Sequence, residues 1–458
     1  MKILLAIILL LKLTIAKAQE PDPVFAIYEE QYTRLLQLRG VPESAIGDLL
    51  KNYSTGNINS DTGLVHVLQQ LYSTQRDIGV LFYFFNNDTL RRAYYKPGKV
   101  IEVSYIPIKK DFLMQLGTDI NESLKLYKLS ENRAPTMRGN IILEKQTKKI
   151  SFITAIKNAT KILIPASFDT ATKHLLIIPA LNIGTIPFHL LQPFKNNDFL
   201  IDRCSFTIVP SLIDLVGLRL KILKKNSRNW PGIELPESFD GYENFSWIDK
   251  NNFELKKVLF VSNPAYPLDG AFIFPDLPGA EKEINSAKKY AKEYILLRGN
   301  KAIKDSVLKY IDKTNVVYFA THGIADQVDP MGKSFLVLSG KSPYLTAKEI
   351  MDMRSTHDSL PEMVILSACQ TGLGKSMEAG TAGLARSFLL GGSSHVIMSL
   401  WSVDDDATAY LMSRFIYHLQ TPHRFMPAEP LRLAILDTKI RYKKPAQWAS
   451  FSLFGIDY

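Results

Sequence analysis

The chain has 458 residues, 46% hydrophobic and 22% charged, the proportions of a globular protein long enough for two or three core-sized units, which excludes a fibrous or largely disordered chain. Its formal charge of +10 would suit an anionic partner. The Lys and Arg residues are scattered, however, with short clusters at Lys221-Lys224-Lys225 and Arg441-Lys443-Lys444 and no aromatic-interleaved basic motif, so nucleic acid is not an expected partner.

The first residues read MKILLAIILLLKLTIAKAQE. Lys2 gives a basic start, Lys12 interrupts an apolar stretch too short to span a bilayer comfortably, and Ala16-Lys17-Ala18 precedes Gln19. This is the pattern of a secretory signal with an A-x-A cleavage site. The expectation is a signal peptide over 1–18, a mature chain from about Gln19, and export to the periplasm or the extracellular space. An uncleaved anchor is the competing reading. No other stretch approaches membrane-spanning length, so no membrane association is expected once the signal is removed.

From 19 to about 60 the periodicity predicts an amphipathic helix, Phe25 to Leu38, closed by Gly40, and a weaker one at Glu43 to Leu50. No repeated period appears. From Leu64 strand and helix patterns alternate: helix at Val65 to Leu71, strand at Ile78 to Phe85, a turn at Asn86-Asn87-Asp88, strand at Ile101 to Ile106, helices at Asp111 to Leu129 and Ile150 to Thr160, strand at His174 to Pro179. That alternation argues for an α/β unit over 64–225.

Residues 226–253 are rich in Asn, Pro, Gly and acidic side chains and read as a linker or insertion. A second half, 254–458, opens with a strand at Val258 to Ser262. A helix starts near Pro278, with acidic residues in its first turn. A strand at Ile295 to Leu297 and a helix at Ile303 to Ile311 follow.

Two apolar runs then carry the chemistry. Val316 to Ala320 ends in Thr321-His322-Gly323, and Val364-Ile365-Leu366 gives way to Ser367-Ala368-Cys369 and a turn containing Gly372 and Gly374. Continuous apolar runs bounded by glycine suit a parallel sheet covered on both faces. If the two strands are parallel neighbours, thiol and imidazole emerge at the carboxyl ends, where open α/β sheets place their sites. His322 and Cys369 are therefore a candidate dyad, the imidazole taking the thiol's proton or stabilising the thiolate. Cys204 is the other cysteine, and a bridge between the two is the competing reading.

The order ATHG, ILSACQTGLG and EAGTAGLARSFLLGGSSHVIMSLWSVDDDATAYLMSRFIYHL resembles the CHAT domain, a caspase-like cysteine-peptidase relative often fused to TPR repeats, over most of the chain from Leu64. The resemblance implies a caspase-like three-layer α/β/α sandwich, with a non-catalytic N-terminal α/β half and a catalytic C-terminal half. It implies that the N–H groups of Gly323 and Cys369 form an oxyanion hole and that Pro445 to Gly455 is the domain's final strand. His174 and His189, in the first half without a nucleophile beside them, are expected to be structural.

Asp404-Asp405-Asp406 follow a strand at Val396 to Leu400 and precede a helix expected from about Ala407, with Asp406 as its N-cap. By resemblance to separases, Asp405, with Asp404 next, would pair with the basic residue before the cut, which predicts cleavage after Arg or Lys. In the competing reading all three aspartates cap and solvate. The helix after the cysteine motif is expected from Gly380 to Leu390, closed by Gly391-Gly392, with Glu378 more a cap than a pocket wall.

The expected function is an exported cysteine endopeptidase acting on a protein or peptide substrate through a thioester acyl-enzyme. No metal cluster, phosphate loop or dinucleotide fingerprint occurs in the sequence. No organic cofactor is implied, and calcium dependence occurs among some caspase-like relatives. A catalytically silent adaptor on the same fold is the alternative, and a thiol acyltransferase or amidase would share the dyad and differ in the acceptor.

Overall fold

A computed structural model describes residues 68, 72, 75–130, 151–211, 214–215, 253–267, 272–326, 329, 332–353, 360–367, 376–377, 380–381, 383–401, 405–423 and 425–456. The expected signal peptide, the helices expected between 25 and 50, nearly all of the expected 226–253 linker, Cys369, Glu378 and Asp404 lie outside them.

In the first half, Ile78–Asn86 (β1) turns through Asn87 and Asp88, with φ of 46° and 52°, into Thr89–Tyr95 (β2). Asn and Asp tolerate that left-handed conformation, which a two-residue hairpin requires. Glu102–Pro107 (β3) alternates half-buried and exposed residues, as an edge strand with one covered face does. Lys110–Ser130 (α1) and Phe152–Leu163 (α2) follow. Ser151 caps α2, its hydroxyl accepting from the Thr154 N–H at 3.3 Å, and the helix buries Ala155, Ile156, Ala159 and Leu163. His174–Ile178 (β4) and Ser205–Ile208 (β5), buried throughout, complete this half.

The second half alternates strand and helix through Lys257–Pro264 (β6), Pro278–Ala287 (α3), Glu293–Gly299 (β7), Lys304–Ile311 (α4) and Val316–Ala320 (β8). Gly323–Ile324 (β9), Phe335–Val337 (β10) and Tyr344–Thr346 (β11) form a small antiparallel sheet. Ala347–Asp352 (α5) then begins with a reciprocal cap between Thr346 and Glu349. After Met363–Ser367 (β12) come the short pair Ser376–Met377 (β13) and Gly380–Thr381 (β14), then Leu384–Gly391 (α6) and His395–Ser399 (β15). Asp405–His418 (α7), Ala428–Arg441 (α8), a helical turn at Pro445–Trp448 and Phe451–Gly455 (β16) close the chain.

Among the described residues, eleven strands form one sheet in the order β3-β2-β1-β4-β5-β16-β15-β12-β8-β6-β7. It is parallel from β1 through β4 to β5 and from β15 through β12, β8 and β6 to β7, and antiparallel within β1-β2-β3 and between β15 and β16. β4, β8 and β15 are buried residue after residue, so helices must cover both faces. This is the expected caspase-like α/β architecture.

The last strand lies between the halves. β16 pairs with β15 from His395↔Gly455 to Ser399↔Phe451, and with β5 at Phe454↔Ile208. A β-carbon at Gly455 would lie 2.0 Å from the Ser394 carbonyl oxygen, so that close pairing requires glycine. A buried ion pair joins the halves as well, Arg386 Nη2 of α6 to Asp214 Oδ2 at 3.1 Å. Trp448 is buried in the core beside Phe199, with ring centroids 5.6 Å apart.

Two expected helix starts move. α6 begins at Leu384 rather than Gly380, because Gly380 and Thr381 pair with β13 as a strand. α7 begins at Asp405, so Asp406 sits inside the first turn and is not the N-cap.

Candidate active site

β8 and β12 are parallel neighbours in register from Val316↔Met363 to Ala320↔Ser367, so they finish side by side. His322 stands two residues beyond Ala320, and in the sequence Cys369 stands two residues beyond Ser367.

His322 is half-buried, and its Nε2 lies 2.7 Å from the carbonyl oxygen of Pro275. A carbonyl only accepts, so Nε2 carries a proton and donates it, which leaves Nδ1 as the acceptor of the neutral ring. Tyr266 and Phe274 flank the imidazole at centroid distances of 4.7 and 5.4 Å. Thr321 ties the strand end down, its hydroxyl donating to the Val337 carbonyl at 2.6 Å.

Gly323 pairs with Leu336, while the Val337 N–H donates to the His322 carbonyl at 2.9 Å. In an antiparallel ladder bonded and non-bonded pairs alternate, so the Gly323 N–H turns away from β10. A donor left pointing out of a ladder is what an oxyanion hole needs.

A cavity of about 40 Å³ opens at the same edge, lined by Gly279, Glu283, Thr321, Ser367, Ser399 and Asp405 among others. By comparison with the space one water requires, this holds two or three waters or the head of a guanidinium group.

Asp405 and Asp406, the two described aspartates of the run, separate. Asp405 packs on the first turn of α3, where a β-carbon at Gly279 would lie 2.6 Å from its Cβ and 2.9 Å from its Oδ2. The positive end of that helix favours its negative charge. Asp406 turns outward to Lys282 at 3.2 Å, an exposed pair of little energetic weight.

One carboxyl at the site was not singled out in the sequence. Glu283 of α3 is buried, 4% exposed, and accepts a short hydrogen bond from the Tyr318 hydroxyl of β8 and another from Ser367. Burial above all, and the Asp405 charge in addition, push its pKa up to about 7. Burial holds the Tyr318 hydroxyl well above its ordinary value, so it stays a donor. The available signal was a glutamate on the apolar face of an amphipathic helix, in line with Ala280, Ile284 and Ala287.

The remaining candidates are core residues. His174 Nδ1 lies 2.9 Å from Ser205 Oγ and its ring stacks on Phe425 at 4.8 Å. His189 Nε2 donates to the Phe451 carbonyl at 2.8 Å, and burial pulls its pKa down to about 3. Cys204 is a free, buried thiol whose pKa burial raises. Among the described residues, no group of three or more His, Cys, Asp or Glu is placed to hold a metal ion, and no helix is long and apolar enough to cross a membrane.

Among known proteins, tetratricopeptide repeat protein 28 of Homo sapiens is 22% identical over 323 residues, and that of Mus musculus is 20% identical over 322 residues. Each match covers 62% of this chain and 12% of the relative, so the chain corresponds to about an eighth of those proteins. Among solved structures, the Saccharomyces cerevisiae separase–securin complex matches with a TM-score of 0.51 at 13% identity, over 90% of this chain and 32% of that one. The complex of the pro- and mature domains of Porphyromonas gingivalis RgpB matches with a TM-score of 0.42 at 11% identity, over 76% and 77%. The separase likeness is one of fold. The CHAT domain family model matches residues 155–456, well over half of the chain and both sides of the candidate site, and the chain belongs to the CHAT domain family.

Proposed function

We propose that this chain is an exported CHAT-type cysteine endopeptidase that cleaves protein or peptide substrates after Arg or Lys. The observation that carries the reading is the shared ending of β8 and β12, which brings the His322 segment beside the strand from which Cys369 follows. The bond to Pro275 leaves Nδ1 of His322 as the basic nitrogen.

The chemistry runs in two steps. Cys369 gives its proton to His322, and its sulfur attacks the carbonyl carbon of the scissile bond. The negative charge that develops on the carbonyl oxygen meets the N–H groups of Gly323 and Cys369. His322 returns the proton to the departing amine, a thioester remains on Cys369, and water hydrolyses it to free acid and thiol. Asp405, with Asp404 beside it in the sequence, receives the basic side chain before the cut, and a guanidinium can meet a carboxylate through two parallel bonds.

The test is labelling by a peptidyl-arginyl electrophile, followed by mapping of the modified peptide. Modification of Cys369, lost in His322→Ala, supports the dyad. A folded protein that resists the label would favour the alternative, a caspase-like fold used for binding partners. Export rests on the first eighteen residues and is tested by finding whether the secreted chain begins at Gln19.

A further inference from the structure

Glu283 has no part in the two-step chemistry, yet it lines the same cavity as Asp405. It stands one helical turn after Gly279, the residue on which Asp405 packs, so the two carboxyl groups face one space from α3 and α7. We propose that Glu283 is the second acidic wall of this pocket, and that a cationic side chain entering beside Asp405 displaces the proton Glu283 holds, making recognition of Arg and Lys pH-dependent. This rests on the reading of Asp405 as the specificity residue.

The surroundings supply the reason. Tyr318 faces Glu283 from β8, Ser367 from β12 and Asp405 from α7. On α3 itself, Lys282 turns to Asp406 and Glu281 pairs with Arg298 of β7. The lysine of β6, Lys257, is at the other end of its strand and pairs with Glu293 at 3.7 Å. No cation acts on Glu283 among the described residues. Burial makes Glu283 the holder of a proton at this wall, with a pKa near 7, and the Asp405 charge adds to the rise.

A guanidinium brings a positive charge and five N–H donors, enough to serve both carboxylates. Its arrival favours the ionised form of Glu283, so binding releases a proton. Binding that releases a proton strengthens as pH rises, here by about tenfold between pH 6 and pH 8, and levels off above. A neutral side chain of similar length releases none.

The test measures binding of acetyl-leucyl-arginine amide by calorimetry at pH 6, 7 and 8. The protein is the full chain carrying Cys369→Ala, so that nothing turns over. Affinity should rise about tenfold over that range, with proton release seen as a dependence of the heat on buffer. The acetyl-leucyl-norleucine amide, and the arginine ligand with the added Glu283→Gln change, should show no such rise. Failure of the arginine amide to bind, pH-independent binding, or an undiminished rise in Glu283→Gln would each overturn the proposal.

Should Glu283→Gln not fold, Tyr318→Phe decides. Removing the hydrogen-bond donor should move the midpoint of the rise to higher pH. A midpoint unmoved in that variant would also overturn it. Hydrolysis of an arginyl peptide by the parent chain separates the two readings: turnover with a pH-independent KM removes the role of Glu283 alone, and binding without turnover keeps the pocket and removes the peptidase.

Discussion

Asp405 and Gly279 touch so closely that a β-carbon on the glycine would lie 2.6 Å from Asp405 Cβ and 2.8 Å from its Cγ. Gly279→Ala must therefore turn the carboxylate away or push α3 from α7. Alanine is the better helix former by about 1 kcal/mol, which offsets part of the strain, so the fold should survive. The expected result is a fall of tenfold or more in kcat/KM for arginyl peptides, with alkylation of Cys369 by iodoacetamide unchanged. Full activity in the variant would separate Asp405 from specificity.

The buried Glu283 sets a pH dependence of stability. Its pKa is raised from the ordinary 4.5 to about 7 in the folded chain, so the folded state holds the proton more tightly than the unfolded state between those values. Stability from this group is full below about pH 4.5 and declines as pH rises to about 7, by on the order of 3 kcal/mol. Urea unfolding at pH 5 and pH 8 should show the decline in the parent chain. Glu283→Gln should lack that share of it, and equal slopes in the two proteins would contradict it.

The ion pair across the halves should matter more than any surface pair. Arg386 and Asp214 have side chains 3% and 10% exposed. Asp214→Ala removes a carboxylate partner from a buried guanidinium, at a cost of about 3–5 kcal/mol. The double variant Asp214→Ala with Arg386→Met should recover most of that loss in chemical denaturation, since the buried guanidinium is removed together with its carboxylate.

Tyr266 holds the imidazole of His322 by ring contact at 4.7 Å, and its hydroxyl lies 3.4 Å from Thr321 Oγ1. Tyr266→Ala frees the ring to leave its bond to Pro275. A fall in kcat of roughly tenfold to a hundredfold is expected from such misplacement, with KM little changed. Tyr266→Phe keeps the ring contact and should stay within about threefold of the parent if ring position is what matters.

Much of this fold is legible in the sequence where burial on both faces writes an unbroken apolar run, as at Val316–Ala320, whose expected and observed limits coincide. β2 is not, because Arg91 and Arg92 interrupt its pattern. Both are nevertheless buried, at 8% and 7% exposure, and Arg92 donates to the Ile162 carbonyl at 2.7 Å. β5 is a four-residue strand with two hydroxyl side chains, too short and too polar to stand out. α8 buries Pro430 in its first turn beside Ala428 and Leu431 and offers no clean apolar stripe.

At the site, His322 and Gly323 are visible because a strand end needs no distant partner to be recognised. Glu283 is not. Its meaning depends on Tyr318 in another strand and Asp405 in another helix, contacts that only the folded chain creates.

The most direct measurement is hydrolysis of fluorogenic peptides ending in Arg, Lys, Asp or Leu, by the chain from Gln19 onward under reducing conditions, with and without calcium. Cys369→Ala and His322→Ala are the controls. Cleavage after Arg, and less well after Lys, that disappears in both variants is the expected result. A well-folded protein that cleaves none of the four, and whose Cys369 does not react with a peptidyl electrophile, would contradict the peptidase and leave a binding role for the fold.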